Sequence, residues 1–389
     1  MSGQFGTAKA PPAGQGTAAW FTAVDCEPGT AAGAALSLRD QALAALDGGD
    51  PAQGLGTALQ GLTVLEAAGL RGGADEAALL VALAEIEEAL DRIGDARVTI
   101  AAAIGILQDV VAEDEDDDSL MLWCQAQERQ AGLERLAGDF AAAAARLGAV
   151  LDRAAARLGE ASRAVVSAAN TLGVVYKYAS DFDAAEAAYR RAVTAARGLA
   201  DPDPLLEAGL LHNLGGLAHS RGDAAAGIPP AERGAALRAG ALGPGHPDVA
   251  RDLNALGALY HLAGRFADAA RAYSWALTVF ENTYGSDHFE VAMTCANLAV
   301  LHSDQASFAR AESLGRRSLR ILTAVLGPQD AEVGLTVLNL ATAVAGQGRN
   351  AEAAALSARA TAILAARLPA GHPHLLAAAQ AAEYYGQPA

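Results

Sequence analysis

The chain has 389 residues, 52% of them apolar but only 5% aromatic, and a formal net charge of −17. Ala and Leu make up most of the apolar fraction, and both favour helix. The negative charge argues against non-specific nucleic-acid binding, which needs Lys and Arg to displace counterions from phosphates, and against docking on an anionic membrane.

Residues 1–33 are rich in Gly, Ala, Pro and Thr and show no helical period, so a flexible arm is expected there, with Trp20 and Phe21 as its main apolar anchors. No basic segment followed by an apolar run opens the chain, so no secretory signal is expected. No apolar stretch is long enough to suggest a membrane-spanning helix. Cys26, Cys124 and Cys295 lie far apart without a C-x-x-C pair, which fits a reduced, cytoplasmic protein.

From about residue 34 the pattern is helix after helix. Two degenerate pairs are expected over 34–67 and 75–113, with turns at Gly48-Gly49-Asp50-Pro51 and Gly94-Asp95. The region 34–118 closes on the acidic run 113–118, read as a solvated loop because it lacks the spacing and glycine of a calcium-binding loop. Six more pairs are expected over 119–158, 161–199, 204–241, 246–283, 288–325 and 330–367, and a single helix over 372–385 caps the end. Region 119–385 is thus one regular array. Pro229 and Pro230 fall inside the second helix of the fifth pair and are expected to break it or delay its start.

The array is periodic. Phe140, Phe182, Ala224, Phe266, Phe308 and Asn350 each stand 42 residues after the last. Gly243, Gly285 and Gly327 keep the same spacing, as do Val249, Val291, Val333 and Leu375. Each unit reads as two antiparallel amphipathic helices that cannot cover their own apolar face and so need neighbours. Between units runs Leu242-Gly-Pro-Gly-His-Pro-Asp-Val-Ala, echoed at Tyr284, Leu326 and Leu368. Gly after the last helical residue suits a left-handed cap, and Pro247 and Pro373 suit the first helical position. His246, His288, His372 and Asp330 occupy equivalent points of successive units. They read as caps rather than metal ligands, because stacked units are ~10 Å apart and ligands must converge on one ion.

Leu172-Gly173-x-x-Tyr176 followed by Phe182, Ala185, Tyr189 and Ala192 recurs as Leu256-Gly257-x-x-Tyr260, Phe266, Ala269, Tyr273 and Ala276. In these residues, over about 120–385, the chain resembles the tetratricopeptide repeat family. The inter-unit linker resembles its 42-residue variety, typified by kinesin light chain and common in bacteria. The resemblance implies an all-α fold: a right-handed α-solenoid of about eight antiparallel helix pairs with a C-terminal capping helix. It further implies that the first helix of each pair lines a concave groove where extended peptides bind.

Two series fall on those first helices. Asn170, Asn213, Asn254, Asn297 and Asn339 offer amides that both donate and accept, suited to holding a peptide backbone; equally, they suit bonds that keep neighbouring units in register. Arg135, Lys177, His219 and His261, each 42 residues apart and followed by Ser303, form a basic row that favours a carboxylate or phosphate, or a row that is merely solvated. No nucleophile elbow, phosphate-binding loop or metal-ligand spacing is present in the sequence. The expected function is therefore non-catalytic: a scaffold or adaptor for a protein or peptide partner, binding an extended acidic segment, without cofactor or metal. The alternative is a regulatory sensor or small enzyme that uses the same groove for a signalling peptide or small molecule.

Overall fold

The computed structural model describes residues 30–113 and 116–387, and its regular structure there is entirely α-helical. The rest of the expected arm, with Trp20, Phe21 and Cys26, lies outside the described residues. The chain divides into two compact units, one within 9–203 and one carrying 204–389. The first holds α1 (Ala31–Asp47), α2 (Pro51–Ala67), α3 (Ala74–Ala89), α4 (Ile93–Glu113), α5 (Asp117–Leu136), α6 (Phe140–Leu158), α7 (Arg163–Tyr178) and α8 (Phe182–Arg197). The second holds α9 (Pro204–Arg221), α10 (Ala224–Leu242), α11 (Pro247–Leu262), α12 (Phe266–Tyr284), α13 (Phe289–Asp304), α14 (Phe308–Leu326), α15 (Ala331–Ala345), α16 (Asn350–Ala365) and the single α17 (Pro373–Gly386). Odd-numbered helices are called A and even-numbered ones B. The expected pairing into helix pairs plus a final single helix is what the described residues form.

Turns that are too short for anything but reversal make each pair antiparallel. Between α7 and α8 only Ala179, Ser180 and Asp181 intervene. Ser180 takes φ 62°, and Asp181 accepts the Ala184 amide at 3.2 Å. Asp139 and Asp223 cap α6 and α10 in the same way, each at 3.0 Å. Four A helices of the second unit, α11, α13, α15 and α17, start on the linker: His246, His288 and His372 accept, through Nδ1, the amides of Asp248, Glu290 and His374 at 3.2, 3.2 and 3.3 Å, and Asp330 takes the same place through Oδ1 at 2.9 Å.

Within a pair the helices close on small residues. A Cβ at Gly173 would lie 2.6 Å from the ring of buried Tyr189, and one at Gly257 would lie 2.7 Å from that of Tyr273. Ring and glycine therefore require one another. Between pairs the core is aliphatic: Val291, Cys295, Ile321, Val333, Val337 and Leu364 form one buried cluster in the second unit around Phe280. Inside each unit every A helix packs on the next A helix, whereas B helices make no comparable contact with the next B helix. The A helices are thus the crowded layer, presenting one shared face, and the B helices are splayed.

Three expectations need correction. Gly94 and Asp95 do not form the turn of the second pair: they lie in the first turn of α4, where Asp95 meets the helix dipole, and the chain reverses at Leu90, Asp91 and Arg92, with Asp91 at φ 60°. Pro229 and Pro230 do not break their helix: α10 runs unbroken from Ala224 to Leu242. The carbonyls that lose their amide partners belong to Ala225 and Ala226, both exposed residues on the side open to solvent, and Pro229 itself is exposed. The opposite side is locked against α9 through Gly227, Ala231 and Gly234; a Cβ at Gly227 would lie 2.8 Å from that of Ala218. The acidic run is also less of a loop than its composition implies. Glu113 ends α4, Asp116 accepts the Ser119 amide at 2.8 Å, and Asp117 and Asp118 form the first turn of α5, where carboxylates oppose the helix dipole. Asp114 and Glu115 lie outside the described residues.

Candidate functional site

The A-helix faces carry the polar residues singled out above, and each unit bears its own set. In the first unit α3, α5 and α7 are joined by named contacts. Arg129 on α5 reaches back to Glu85 and Glu88 on α3 at 2.8 and 2.9 Å. Glu128, beside it, faces forward: its Oε2 accepts from Ser167 Oγ at 2.5 Å and from Thr171 Oγ1 at 3.4 Å, both on α7. One turn or two further along, the Arg135 guanidinium lies over the Tyr178 ring, 4.7 Å from its centre. Lys177, half-buried next to Tyr178, makes no hydrogen bond or ion pair among the described residues. The stripe on α7 is therefore Ser167, Thr171, Val174 and Lys177, with Asn170 alongside; the stripe on α5 is Glu128, Gly132 and Arg135.

Burial acts on both charge types here. It pushes the Glu128 carboxyl up to about 7, against the pull of Ser167 and Thr171. It also pushes the Lys177 ammonium below its ordinary value. Glu88 is raised by burial as well, although Arg129 pulls it down.

In the second unit the asparagines meet. Asn297 Nδ2 on α13 donates to Asn254 Oδ1 on α11 at 3.3 Å. Asn213 and Asn339 lie on α9 and α15, half-buried and exposed respectively. His261 on α11 is paired through Nε2 with Asp304 of α13 at 2.8 Å, so it is not a bare cation in a row. His219 lies half-buried in the last turn of α9. Ser303 lies on α13 beside Asp304.

Sequence reasoning missed three members of these faces. Glu128 stands 42 residues before Asn170 and occupies the asparagine register on α5. His212 stands 42 residues after Asn170 in the same register. Its Nδ1 contacts Oδ1 of buried Asp252 at 2.9 Å, while Oδ2 accepts from Arg238 Nε at 2.7 Å. The register alone would have found Glu128 and His212; Asp252 is visible only in the packing.

Charge is divided unevenly along the chain. Residues 1–203 contain 15 Lys and Arg against 30 Asp and Glu; residues 204–389 contain 13 against 15. Against that background, a half-buried lysine without a counter-ion is set apart in the first unit.

Among the described residues no helix is long and apolar enough to cross a membrane. No curated protein sequence matches the chain. Of solved structures, the chain is similar to a signal transduction ATPase with numerous domains carrying a tetratricopeptide repeat sensor, from Pyrococcus horikoshii, with 15% identity and a TM-score of 0.61, covering 90% of this chain and 48% of that one. It is similar to the apo form of RapI, with 12% identity and a TM-score of 0.58 over 78% of this chain and 79% of that one. BtubC (BKLC) from P. vanneervenii shares 26% identity, with a TM-score of 0.49 over 58% of this chain and 94% of that one. Models described as tetratricopeptide repeat match residues 165–204, 206–282 and 291–332, the stretch that folds as α7 to α14. Glycine-on-tyrosine pairs, capped A and B helices and these matches agree that the chain carries tetratricopeptide repeats between residues 165 and 332.

Proposed function

We propose that this chain is a non-catalytic scaffold that holds an extended peptide segment of a partner protein on its A-helix face, with an acidic group of that segment beside Lys177. The observation that carries the reading is Lys177 itself: half-buried, without a counter-ion, and next in the chain to Tyr178, on whose ring Arg135 lies. Burying an ammonium without a partner is unfavourable, and an incoming carboxylate relieves that penalty. Asn170, on the same unit as Lys177, supplies a donor and an acceptor for the peptide backbone, and Asn213, Asn254, Asn297 and Asn339 offer the same groups on the second unit's own face. The bond between Asn254 and Asn297 serves register as well, and a peptide amide would compete for it. His219 and His261 add an anion-favouring contribution only when protonated, and for His261 only in competition with Asp304.

A non-catalytic role fits the thiols. Cys124 and Cys295 are buried, and burial pushes Cys124 up to about 12 and Cys295 in the same direction, so neither is a nucleophile at neutral pH. Buried thiols also fit a reducing compartment, and we place the protein in the cytoplasm.

The test is binding of fluorescein-labelled acidic peptides, and of charge-reversed controls, to the full chain by anisotropy. Micromolar binding of the acidic set is expected, weakening with salt and falling at least ~10-fold in Lys177→Glu. Equal binding of acidic and basic sets, or a Lys177→Glu variant that binds as the parent does, would overturn the reading.

A further inference from the structure

The first unit presents a carboxyl and an ammonium on one face, each without an opposite charge of its own. Glu128 forms no ion-pair contact among the described residues: Arg129 directs both terminal nitrogens to Glu85 and Glu88 and acts on Glu128 only as a nearby charge. Its Oε2 is held by Ser167 and Thr171, which fixes the group between α5 and α7, and Oε1 accepts nothing from the described residues. Lys177 is equally unpaired. The register partner of Glu128 on α7 is Asn170, seven residues before Lys177. At ~1.5 Å of rise per residue the two ends stand roughly 10 Å apart along the helices, too far to neutralise one another directly. The floor between them is low. Gly132 of α5 lies midway, and a Cβ built there would meet nothing within 4 Å; Val174, 42 residues on, holds the same register on α7.

We infer that Glu128 at one end, and Lys177 with Arg135 at the other, form a two-ended site that takes a short peptide by its free amino group and its carboxylate. The inference rests on the peptide-binding reading above and adds a partner chemistry to it: a zwitterion rather than an acidic segment alone. About three extended residues at ~3.4 Å each span the gap, with the backbone over Gly132 and Val174. The ammonium takes the open lone pairs of Oε1 and turns a carboxyl that burial disfavours as an ion into half of an ion pair. Asn170 is placed to bond the peptide's backbone on the way. A lysine side chain brings the same ammonium as an amino terminus, so the test separates the two.

The probes are tri-alanine with free ends, its N-acetyl and C-amide derivatives, and N-acetyl-Lys-Ala-Ala, titrated into the full chain and followed by calorimetry or ligand-observed NMR. Tri-alanine is expected to bind at least tenfold more tightly than either blocked form. In Glu128→Gln the free and acetylated peptides should bind alike; in Lys177→Gln the free and amidated ones should. Tighter binding of N-acetyl-Lys-Ala-Ala than of N-acetyl-tri-alanine would show that the carboxyl accepts a side-chain ammonium too, and equal binding would restrict it to amino termini. Because the blocked and free peptides are compared on the unaltered chain, the result does not depend on how the variants fold. Equal affinity of tri-alanine and its acetyl derivative, or a gap between them that survives Glu128→Gln, would overturn the inference. If the amino end behaves as stated while Lys177→Gln and amidation are silent, the acidic-group reading fails and the Glu128 end alone stands. If neither end matters but long acidic peptides still need Lys177, the reverse holds.

Discussion

At the residue scale, two carboxyls in the same protein are moved in opposite directions. Glu128, ordinarily near 4.5, is raised by burial to about 7. Its folded value lies above its unfolded one, so its contribution to stability is complete below about pH 4.5 and is lost as pH rises through about 7. Glu312 is lowered to about 2 by its hydrogen bond from Gln347 and by Arg316 and Arg349; its contribution is present above about pH 4.5 and is lost as pH falls towards 2. The melting temperature of the parent should therefore drop between about pH 5 and pH 8, and Glu128→Gln should show a shallower drop; a parallel pair of curves would contradict the burial account. Glycines sort in a similar way. Gly173→Ala would force a methyl into the Tyr189 ring, 2.6 Å away, and should destabilise by ~1–3 kcal/mol in urea unfolding. Gly148→Ala in α6, where a Cβ meets nothing within 4 Å, should instead stabilise by up to ~1 kcal/mol.

At the element scale, short turns and one anomalous helix decide stability. The residue before the B-helix cap takes positive φ throughout: Gly222, Gly264 and Gly348 at 77°, 72° and 78°, but Ala306 at 55°. An L-residue pays ~1–2 kcal/mol for that conformation, partly offset by the greater freedom of an unfolded glycine. Ala306→Gly should accordingly raise stability by ~0.5–1 kcal/mol; a decrease measured by thermal unfolding would mean that the Ala306 side chain has a packing role. In α10, Pro229→Ala restores an amide able to reach the Ala225 carbonyl and should stabilise by ~1–3 kcal/mol. No gain in denaturant unfolding would show that water already satisfies that carbonyl fully. Helix ends are the part most legible in sequence where proline at the first helical position or the histidine–aspartate linker gives them one local cause; Gly94-Asp95 misleads because an acidic residue there also suits the first turn of a helix, which is where α4 places it. α10 was misread because the proline rule is local, while the exposure of Ala225 and the close seat of Gly227 on Ala218 are tertiary.

At the scale of the whole molecule, a repeat of 42 residues makes the pairing of helices readable before any coordinate is known, because every unit repeats the same instruction. The candidate face is less completely legible. The asparagine and basic rows were found because identical or similar residues recur in register. Glu128 and His212 occupy that register with different side chains, so a search for likeness passes over them. The pairing of His261 with Asp304 crosses from one A helix to the next and has no signature within either. On the proposed reading the A-helix layer, not the splayed B layer, receives the partner. Photo-crosslinking tests this: p-benzoylphenylalanine in place of Val174, on the α7 stripe, or in place of Ala187, on the exposed side of α8, with the labelled acidic peptides as bait. Adducts at position 174 that Lys177→Glu abolishes, with none at 187, are the predicted result; adducts at 187 with a silent 174 would contradict it.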